Sequence, residues 1–248
     1  MTAIPFLGEV DLGRLLGPEA RASWQALAEL SEAFDIQTWM VVGGQMVLIH
    51  AARTGVAMPR VTTDIDVVID VRAARRVHAE QVSAWLVEQG FAIERNREGT
   101  DRYRRGHARI DLLAPDNLGG RPVGTIDGGQ ILAAPGSTNA FKRSVTVRAV
   151  LGDGLVAMVR CPTAFGALMA KAEACVQIRE AESRRLRHQQ DIVSLAGALA
   201  VDGYEDDRSA RERRSFNEAL APLFDDAAHE AWAAASEDAR EVLRILRT

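Results

Sequence analysis

The sequence predicts an α/β (α+β) fold: a small mixed sheet flanked by helices, followed by a mainly helical C-terminal part. Two observations support this prediction. Up to about residue 160, short β-branched runs alternate with stretches whose apolar residues recur at helical spacing. After Cys161 the composition changes, and the chain becomes rich in Ala, Arg, Glu and Leu. We therefore divide the chain into an α/β domain over residues 1–160 and a helical domain over residues 161–248.

The elements of the first domain are predicted from local periodicity. Trp24, Leu27 and Leu30 recur at helical spacing, whereas the β-branched run over residues 64–69 is typical of a strand. In chain order we expect helices over residues 18–34, 45–53 and 73–89, and strands over residues 38–42, 64–69, 91–93, 102–105 and 108–113.

The second half of this domain is richer in turns. Asp116 follows a proline and is expected to be a turn residue, and residues 118–136 are glycine-rich, with short β pieces near 123–126 and 130–132. Strands over residues 144–151 and 155–159 flank Gly152-Asp153-Gly154, which predicts a hairpin. Pro162 is expected at the start of the first C-terminal helix, because proline is favoured there.

Composition narrows the class of protein. A net charge of −4 argues against a protein that simply coats nucleic acid. The two cysteines, Cys161 and Cys175, have no partner at metal-site spacing, so we expect reduced, buried thiols. We see no leader and no run of eighteen apolar residues, and therefore expect a cytoplasmic protein without a membrane segment.

Two aspartates, Asp64 and Asp66, interrupt an otherwise apolar strand run. Residues two apart in a strand project from one face, about 6.6 Å apart along the backbone, and Ile65 and Val67 project from the other. Neighbouring carboxylates repel each other. A hard divalent ion, Mg²⁺ or Mn²⁺, relieves the repulsion and takes its other ligands from water and substrate phosphates. The pair is either such a metal site or two incidental acids on an exposed edge strand.

A third aspartate, Asp111, lies on another short apolar run. Three aspartates on two strands suit a two-metal phosphoryl site, in which the ions lie about 3.5–4 Å apart. In that interpretation Asp64 and Asp66 hold the nucleotide-bound ion. Asp111 helps to hold a second ion and orients or deprotonates the attacking hydroxyl.

Two neighbouring segments bear on phosphate binding. Gly43 and Gly44 fall at a predicted strand-to-helix junction, where backbone N–H groups bind phosphate. Residues 95–109 contain six arginines and a histidine just before Asp111. These charges either steer a triphosphate or an RNA acceptor toward the aspartates or form a solvated basic hairpin, and the sequence leaves both open.

The order of these motifs resembles the nucleotidyltransferase superfamily. The order is Gly-Gly, then R-x-T-x-D-x-D from Arg60 to Asp66, then a lone aspartate, Asp111, on a later strand. Within the superfamily the chain is most similar to the AbiEii-type toxins of type IV toxin–antitoxin systems, which include MenT-like toxins. The resemblance covers roughly residues 35–200 and implies a nucleotidyltransferase fold.

The resemblance extends into the helical domain. The family carries a helix with a lysine, here Lys171, and then a helix with an aspartate, here Asp191. Gln189 and Gln190 stand where the family has a basic residue before that aspartate, so we expect His188 or Arg187 to supply the charge. Lys171 is otherwise a helix-surface lysine paired with Glu173 or Glu180. The resemblance implies the following roles: metal ligands Asp64, Asp66 and Asp111; nucleotide-binding residues Gly43, Gly44, Arg60, Thr62, Thr63, Lys171 and Asp191; catalytic residues Asp64, Asp66, Asp111 and Lys171.

The resemblance implies an enzyme that transfers a nucleoside monophosphate from an NTP to an acceptor hydroxyl, with Mg²⁺ or Mn²⁺ as its cofactor. It further implies a toxin that acts on tRNA 3′ ends and is neutralised by a cognate antitoxin protein. Three alternatives stay open: nucleotidyl transfer to a small hydroxylated antibiotic, protein AMPylation, and a non-catalytic nucleotide-binding regulator.

Overall fold

The structure is a computed structural model that describes residues 3–58, 60, 62–70, 79–95, 101–117, 125–126, 129–177 and 182–248. Contacts divide the chain into two compact units. The first comprises Met1–Met46 with Thr62–Pro162, and the second Val47–Val61 with Thr163–Thr248. The mixed α/β class with a helical C-terminal part is confirmed.

The elements of the first unit alternate along most of its length. In chain order they are β1 (Phe6–Asp11), α1 (Pro18–Ala33), β2 (Trp39–Val42), the start of α2 (Gly43–Thr54), β3 (Ile65–Ile69), α3 (Ala79–Glu88), β4 (Ala92–Arg95), β5 (Asp101–Arg105), β6 (Ala108–Pro115), β7 (Thr125–Ile126), β8 (Gly129–Gln130), β9 (Ala133–Ala134), α4 (Ser137–Lys142), β10 (Ser144–Gly152) and β11 (Leu155–Pro162). Residues 73–78 of the helix expected over 73–89, and residues 123–124 of one expected β piece, lie outside the described residues.

The main sheet has the strand order β2-β3-β6-β5-β4, and β9 pairs with β6. It is mixed, as expected, because β3 and β6 are parallel whereas the other main-path neighbours are antiparallel. Ile65 and Val67 of β3 and Ile110 and Leu112 of β6 are buried. They alternate with the aspartates along their strands, so one face of β3 and β6 forms core and the opposite face carries the acids.

A second sheet has the order β1-β10-β11. The predicted hairpin between β10 and β11 is confirmed, and Asp153 at its tip adopts a φ of 53°. β1 is an element that the sequence analysis missed, since it pairs in parallel with a strand far along the chain. Pro162 does not start a helix as expected: it pairs with Ser144 at the end of β11, and the next helix begins at Ala164.

A short helix, α4, was also not predicted. The carboxylate of Asp116 accepts hydrogen bonds from the backbone N–H groups of Gly136 and Thr138, at 2.8 Å each. Asp116 directly follows β6, so its side chain joins the end of this strand to the N–H donors at the start of α4. Asp116 is thus a turn residue, as expected, and its carboxylate stabilises this connection.

The second unit is a group of helices: α5 (Ala164–Gln177), α6 (Glu182–Asp202), α7 (Ala210–Asp225), a 3₁₀ helix (Glu230–Ala234) and α8 (Glu237–Arg247). α5 packs against α6 and α7, and α6 packs against α8. The segment over residues 47–61 belongs to this unit. Ser194 of α6 donates a hydrogen bond to the carbonyl of Ala57 at 3.2 Å. A Cβ on Gly197 would lie 3.0 Å from Val56, so the absence of a side chain there permits the close approach.

Both cysteines are free and buried, as expected. Burial raises the pKa of the Cys175 thiol to about 11, which keeps it protonated at neutral pH. Within the described residues, no helix is both long and apolar enough to cross a membrane.

Candidate active site

Two of the three aspartates predicted to act together, Asp66 and Asp111, lie in one row across the main sheet. Asp66 on β3 is the register partner of Asp111 on β6, and Asp111 is in turn the partner of Arg102 on β5. Register partners on neighbouring strands lie about 4.8 Å apart and project from the same face. The sheet therefore sets two carboxylates and a guanidinium side by side, although their residues are separated along the chain.

Arg102 binds both oxygens of Asp111. Its Nε donates to Oδ1 at 2.8 Å and its Nη2 to Oδ2 at 2.7 Å. The same Nη2 lies 3.3 Å from Oδ2 of Asp64. The hydrogen bond to Asp111 holds the pKa of Arg102 above its ordinary value, although burial acts in the opposite direction. One guanidinium thus bridges two of the three aspartates, and sequence analysis did not single it out among the six arginines of residues 95–109.

Two other arginines of residues 95–109, Arg104 and Arg105, form ion pairs with other acidic residues and not with the aspartates. Arg105 binds Glu29 through Nη2, at 2.7 Å, and Arg104 forms an exposed ion pair with Glu94 at 3.4 Å. For Arg104 and Arg105 the interpretation as a basic hairpin with its own acidic partners therefore holds. Arg102 differs because its register on β5 places it beside Asp111.

Asp64 precedes β3 and is the more accessible carboxylate, with 36% of its side chain exposed, against 9% for Asp111. The hydroxyl of Thr62 donates to its Oδ1 at 2.9 Å, which orients the group. The carbonyl of Thr63 accepts a hydrogen bond from the hydroxyl of Ser23 at 2.7 Å. The loop before β3 is thereby anchored to α1.

The diglycine lies directly against the acidic loop. Gly43 has a φ of +68° and begins α2 straight after β2, which confirms the predicted strand-to-helix junction. A Cβ on Gly43 would lie 1.7 Å from Oδ2 of Asp66, and a Cβ on Gly44 would lie 2.8 Å from Thr62. Any larger residue would collide with the groups that carry the predicted chemistry. The negative charge of Asp66 also lies at the N-terminus of α2, where the helix dipole stabilises anions.

The donor set suits a hard divalent ion at Asp64 and Asp66. Both are carboxylates and Asp64 is accessible, while the Asp66 carboxylate fills the space that a Cβ on Gly43 would take. A guanidinium already bridges Asp64 and Asp111, which indicates that this face attracts positive charge. Asp111 is less suited to a metal because Arg102 occupies both of its oxygens. Among the described residues, no three His, Cys, Asp or Glu side chains are grouped as a complete metal cage.

A second group of predicted residues comes together within the second unit. Nζ of Lys171 lies 2.6 Å from Oδ2 of Asp191, and Nη2 of Arg60 lies 3.2 Å from the same oxygen. The Lys171 and Asp191 side chains are 5% and 2% exposed, so the alternative of a surface lysine is wrong. Burial acts to raise the pKa of Asp191, but Lys171 and Arg60 outweigh it and hold the pKa below its usual value.

His188 does not supply the positive charge that was expected before Asp191. Burial and the charge of Lys171 lower its pKa to about 3, against the opposing effect of Asp191, so the imidazole is neutral at pH 7. Its Nδ1 is buried and has no hydrogen-bond partner among the described residues. Arg60 provides the charge instead, from more than a hundred residues earlier in the chain.

Comparison with known proteins does not identify the function of this site. No protein-family model matches the chain, and no curated protein matches it. The solution structure of the antibiotic-resistance factor ANT(2'')-Ia is similar to it with a TM-score of 0.38 and 16% sequence identity, over 84% of this chain and 98% of that chain. Similarity at this level supports no conclusion about function, which therefore has to come from the residues.

Proposed function

We propose that the protein is a metal-dependent nucleotidyltransferase that moves a nucleoside monophosphate from an NTP to an acceptor hydroxyl. The observation that supports this most is the position of Gly43 against Asp66, with Asp111 as the register partner of Asp66 and Arg102 in contact with both Asp111 and Asp64. This arrangement joins an anion-binding helix N-terminus to carboxylates that suit a divalent ion.

The chemistry is a displacement at the α-phosphorus. The acceptor oxygen forms a bond to that phosphorus while the bond to the β-phosphate oxygen breaks, and pyrophosphate leaves. Asp64 and Asp66 would hold a Mg²⁺ or Mn²⁺ ion, which would supply positive charge to balance that of the triphosphate. Thr62 orients Asp64, and the backbone N–H groups at Gly43 and Gly44 bind phosphate oxygens. The hydroxyl proton passes to water. Both oxygens of Asp111 accept hydrogen bonds from Arg102, so Asp111 keeps the guanidinium in place.

We further propose, from the family resemblance, that the acceptor is the 3′ end of tRNA and that the protein is a toxin neutralised by an antitoxin protein in the cytoplasm. The nucleotide contacts proposed for Arg60, Thr63, Lys171 and Asp191 come from the same resemblance. In the second unit Lys171 and Asp191 form a buried ion pair, so phosphate binding by Lys171 requires that it share its charge between Asp191 and the ligand.

The test is incubation of the pure protein with each labelled NTP, Mg²⁺ and total tRNA, with a hydroxylated antibiotic as the acceptor in a parallel reaction. Asp64→Asn or Asp66→Asn is expected to reduce transfer by roughly 10²–10³-fold, since each removes a charge that would bind the metal. Asp153→Asn is the matched control: it makes the same chemical change at an exposed hairpin tip whose positive φ asparagine tolerates.

The outcomes separate the hypotheses. Labelled tRNA supports the toxin proposal, and a labelled antibiotic without labelled tRNA supports the resistance alternative. NTP binding without transfer to either acceptor supports the non-catalytic regulator. Full transfer by the Asp66→Asn variant contradicts the role given to the carboxylates.

A further inference from the structure

We propose that Arg102 is the built-in second cation of this site, so that the chain binds one divalent ion, at Asp64 and Asp66, instead of two. The proposal rests on the nucleotidyltransferase function given above and refines how its charges are balanced. It assigns a role to a residue that neither the motif pattern nor the family resemblance identifies.

The contacts of Arg102 match those required of a second ion. A second metal would have to bind Asp111 and share another carboxylate with the first metal. Arg102 already makes both contacts: a bidentate pair with Asp111, at 2.8 and 2.7 Å, and a contact of 3.3 Å with Asp64. Bidentate arginine–carboxylate pairs are among the strongest charge-assisted hydrogen bonds and have a fixed geometry.

The surroundings make this pair hard to exchange for a metal ion. Asp111 has 9% of its side chain exposed and Arg102 has 30%. Removal of one partner of a pair that is largely buried leaves an uncompensated charge, which strongly opposes opening of the pair. Register pairing of β5 with β6 also brings the two residues together before any ligand binds.

The three aspartates therefore have two different roles, metal binding and positioning of Arg102. Asp64 and Asp66 would bind the divalent ion that is carried by the nucleotide, and Asp64 retains a contact with Arg102. Asp111 holds Arg102 in place, which makes it a positioning residue for the permanent positive charge.

The experiment counts ions directly, with Mn²⁺ alone and no nucleotide. Bound Mn²⁺ is measured from loss of the free-ion electron paramagnetic resonance signal in wild type and in the Arg102→Gln and Arg104→Gln variants. Arg104 is the matched control, because it lies on the same strand and pairs with exposed Glu94 instead. Wild type and Arg104→Gln are expected to bind one ion per chain. Arg102→Gln is expected to bind a second ion, or to bind the first roughly tenfold more tightly, because a like charge has been removed from the site.

Thermal unfolding gives a second measurement that does not depend on activity. Arg102→Gln should unfold at a lower temperature than wild type in EDTA, and Mg²⁺ should raise its midpoint more than it raises that of wild type or of Arg104→Gln. Equal ion counts and equal Mg²⁺ responses in the two variants would overturn the proposal. If Arg102→Gln does not fold, the wild-type count still decides: two ions per chain overturn the proposal and one supports it.

Ion counts and transfer assays together distinguish a failure of the Arg102 proposal from a failure of the proposed function. Transfer of labelled nucleotide by wild type together with two bound ions removes only the role given to Arg102. One bound ion without transfer to any acceptor contradicts the proposed nucleotidyltransferase function. The role of Arg102 as the second positive charge beside the aspartates is then still supported.

Discussion

Replacement of Gly43 by alanine is expected to displace Asp66 and to slow transfer strongly. The new Cβ would lie 1.7 Å from Oδ2 and 2.7 Å from Cγ of Asp66, well inside van der Waals contact. The backbone also has a φ of +68°, which side-chain-bearing residues rarely adopt. The carboxylate therefore has to rotate away, or the start of α2 has to move away from β3.

The size of the effect follows from two terms. The left-handed backbone costs alanine about 1–2 kcal/mol, and forcing an extra methyl group into a filled space costs about 1–3 kcal/mol. The free energy of unfolding should fall by about 2–5 kcal/mol in total. A displacement of about 1 Å in a reacting geometry costs about 10²-fold in rate, so transfer should fall at least that far.

Gly55→Ala is the control that separates the two terms. Gly55 has a φ of +71°, and nothing lies within 4 Å of the position of its Cβ. This variant should show the backbone cost alone, with transfer close to that of wild type. Urea unfolding followed by far-UV circular dichroism measures stability, and initial rates with labelled NTP measure transfer. Equal stability losses in both variants, with full transfer by Gly43→Ala, would refute the reasoning.

The remaining predictions concern the buried Lys171–Asp191 ion pair and His188, all in the second unit. Lys171→Met should lower the free energy of unfolding by about 3 kcal/mol, because it leaves the buried Asp191 carboxylate with Arg60 as its remaining ion-pair partner among the described residues. The double variant Lys171→Met/Asp191→Leu should recover most of that loss, and urea unfolding of both checks it; equal losses would show that the pair does not act as a unit. The pKa of His188 is about 3 when folded, below the ordinary 6.5, so the unfolded chain binds the extra proton below pH 6.5. Its contribution to stability is therefore complete above pH 6.5 and declines as the pH falls toward 3, by about 2 kcal/mol between pH 7 and 5. His188→Gln should flatten that part of the pH profile, and an unchanged slope would contradict the assignment.

Local patterns in the sequence predicted the elements that carry the acidic face. The alternation from Asp64 to Ile69 placed the aspartates and the apolar residues on opposite faces, and the structure has that arrangement. The glycine pair was placed correctly at a strand-to-helix junction. These features depend on residues close together in the chain, so their periodicity and turn chemistry are visible without a fold.

Pairings between distant residues were not predictable in the same way. β1 has no clean alternation of buried and exposed residues, and it forms only because β10 offers a parallel partner. The ion pair of Arg60 with Asp191 was not predicted, and His188, expected together with Arg187 as a source of positive charge, is neutral. In each case the outcome depends on another segment of the chain, which contributes a partner strand to β1 and burial or charge to Arg60 and His188.

The sequence by itself determined the fold class, the two glycines and the three aspartates as a set, because spacing and residue type define them locally. Only the tertiary structure decided that the Asp66 carboxylate fills the space beside Gly43, and that Arg102, among six neighbouring arginines, reaches Asp111 and Asp64. The reason is register. A shift of one residue between β5 and β6 would turn Arg102 to the other face of the sheet, and no local pattern in an arginine-rich strand specifies that alignment.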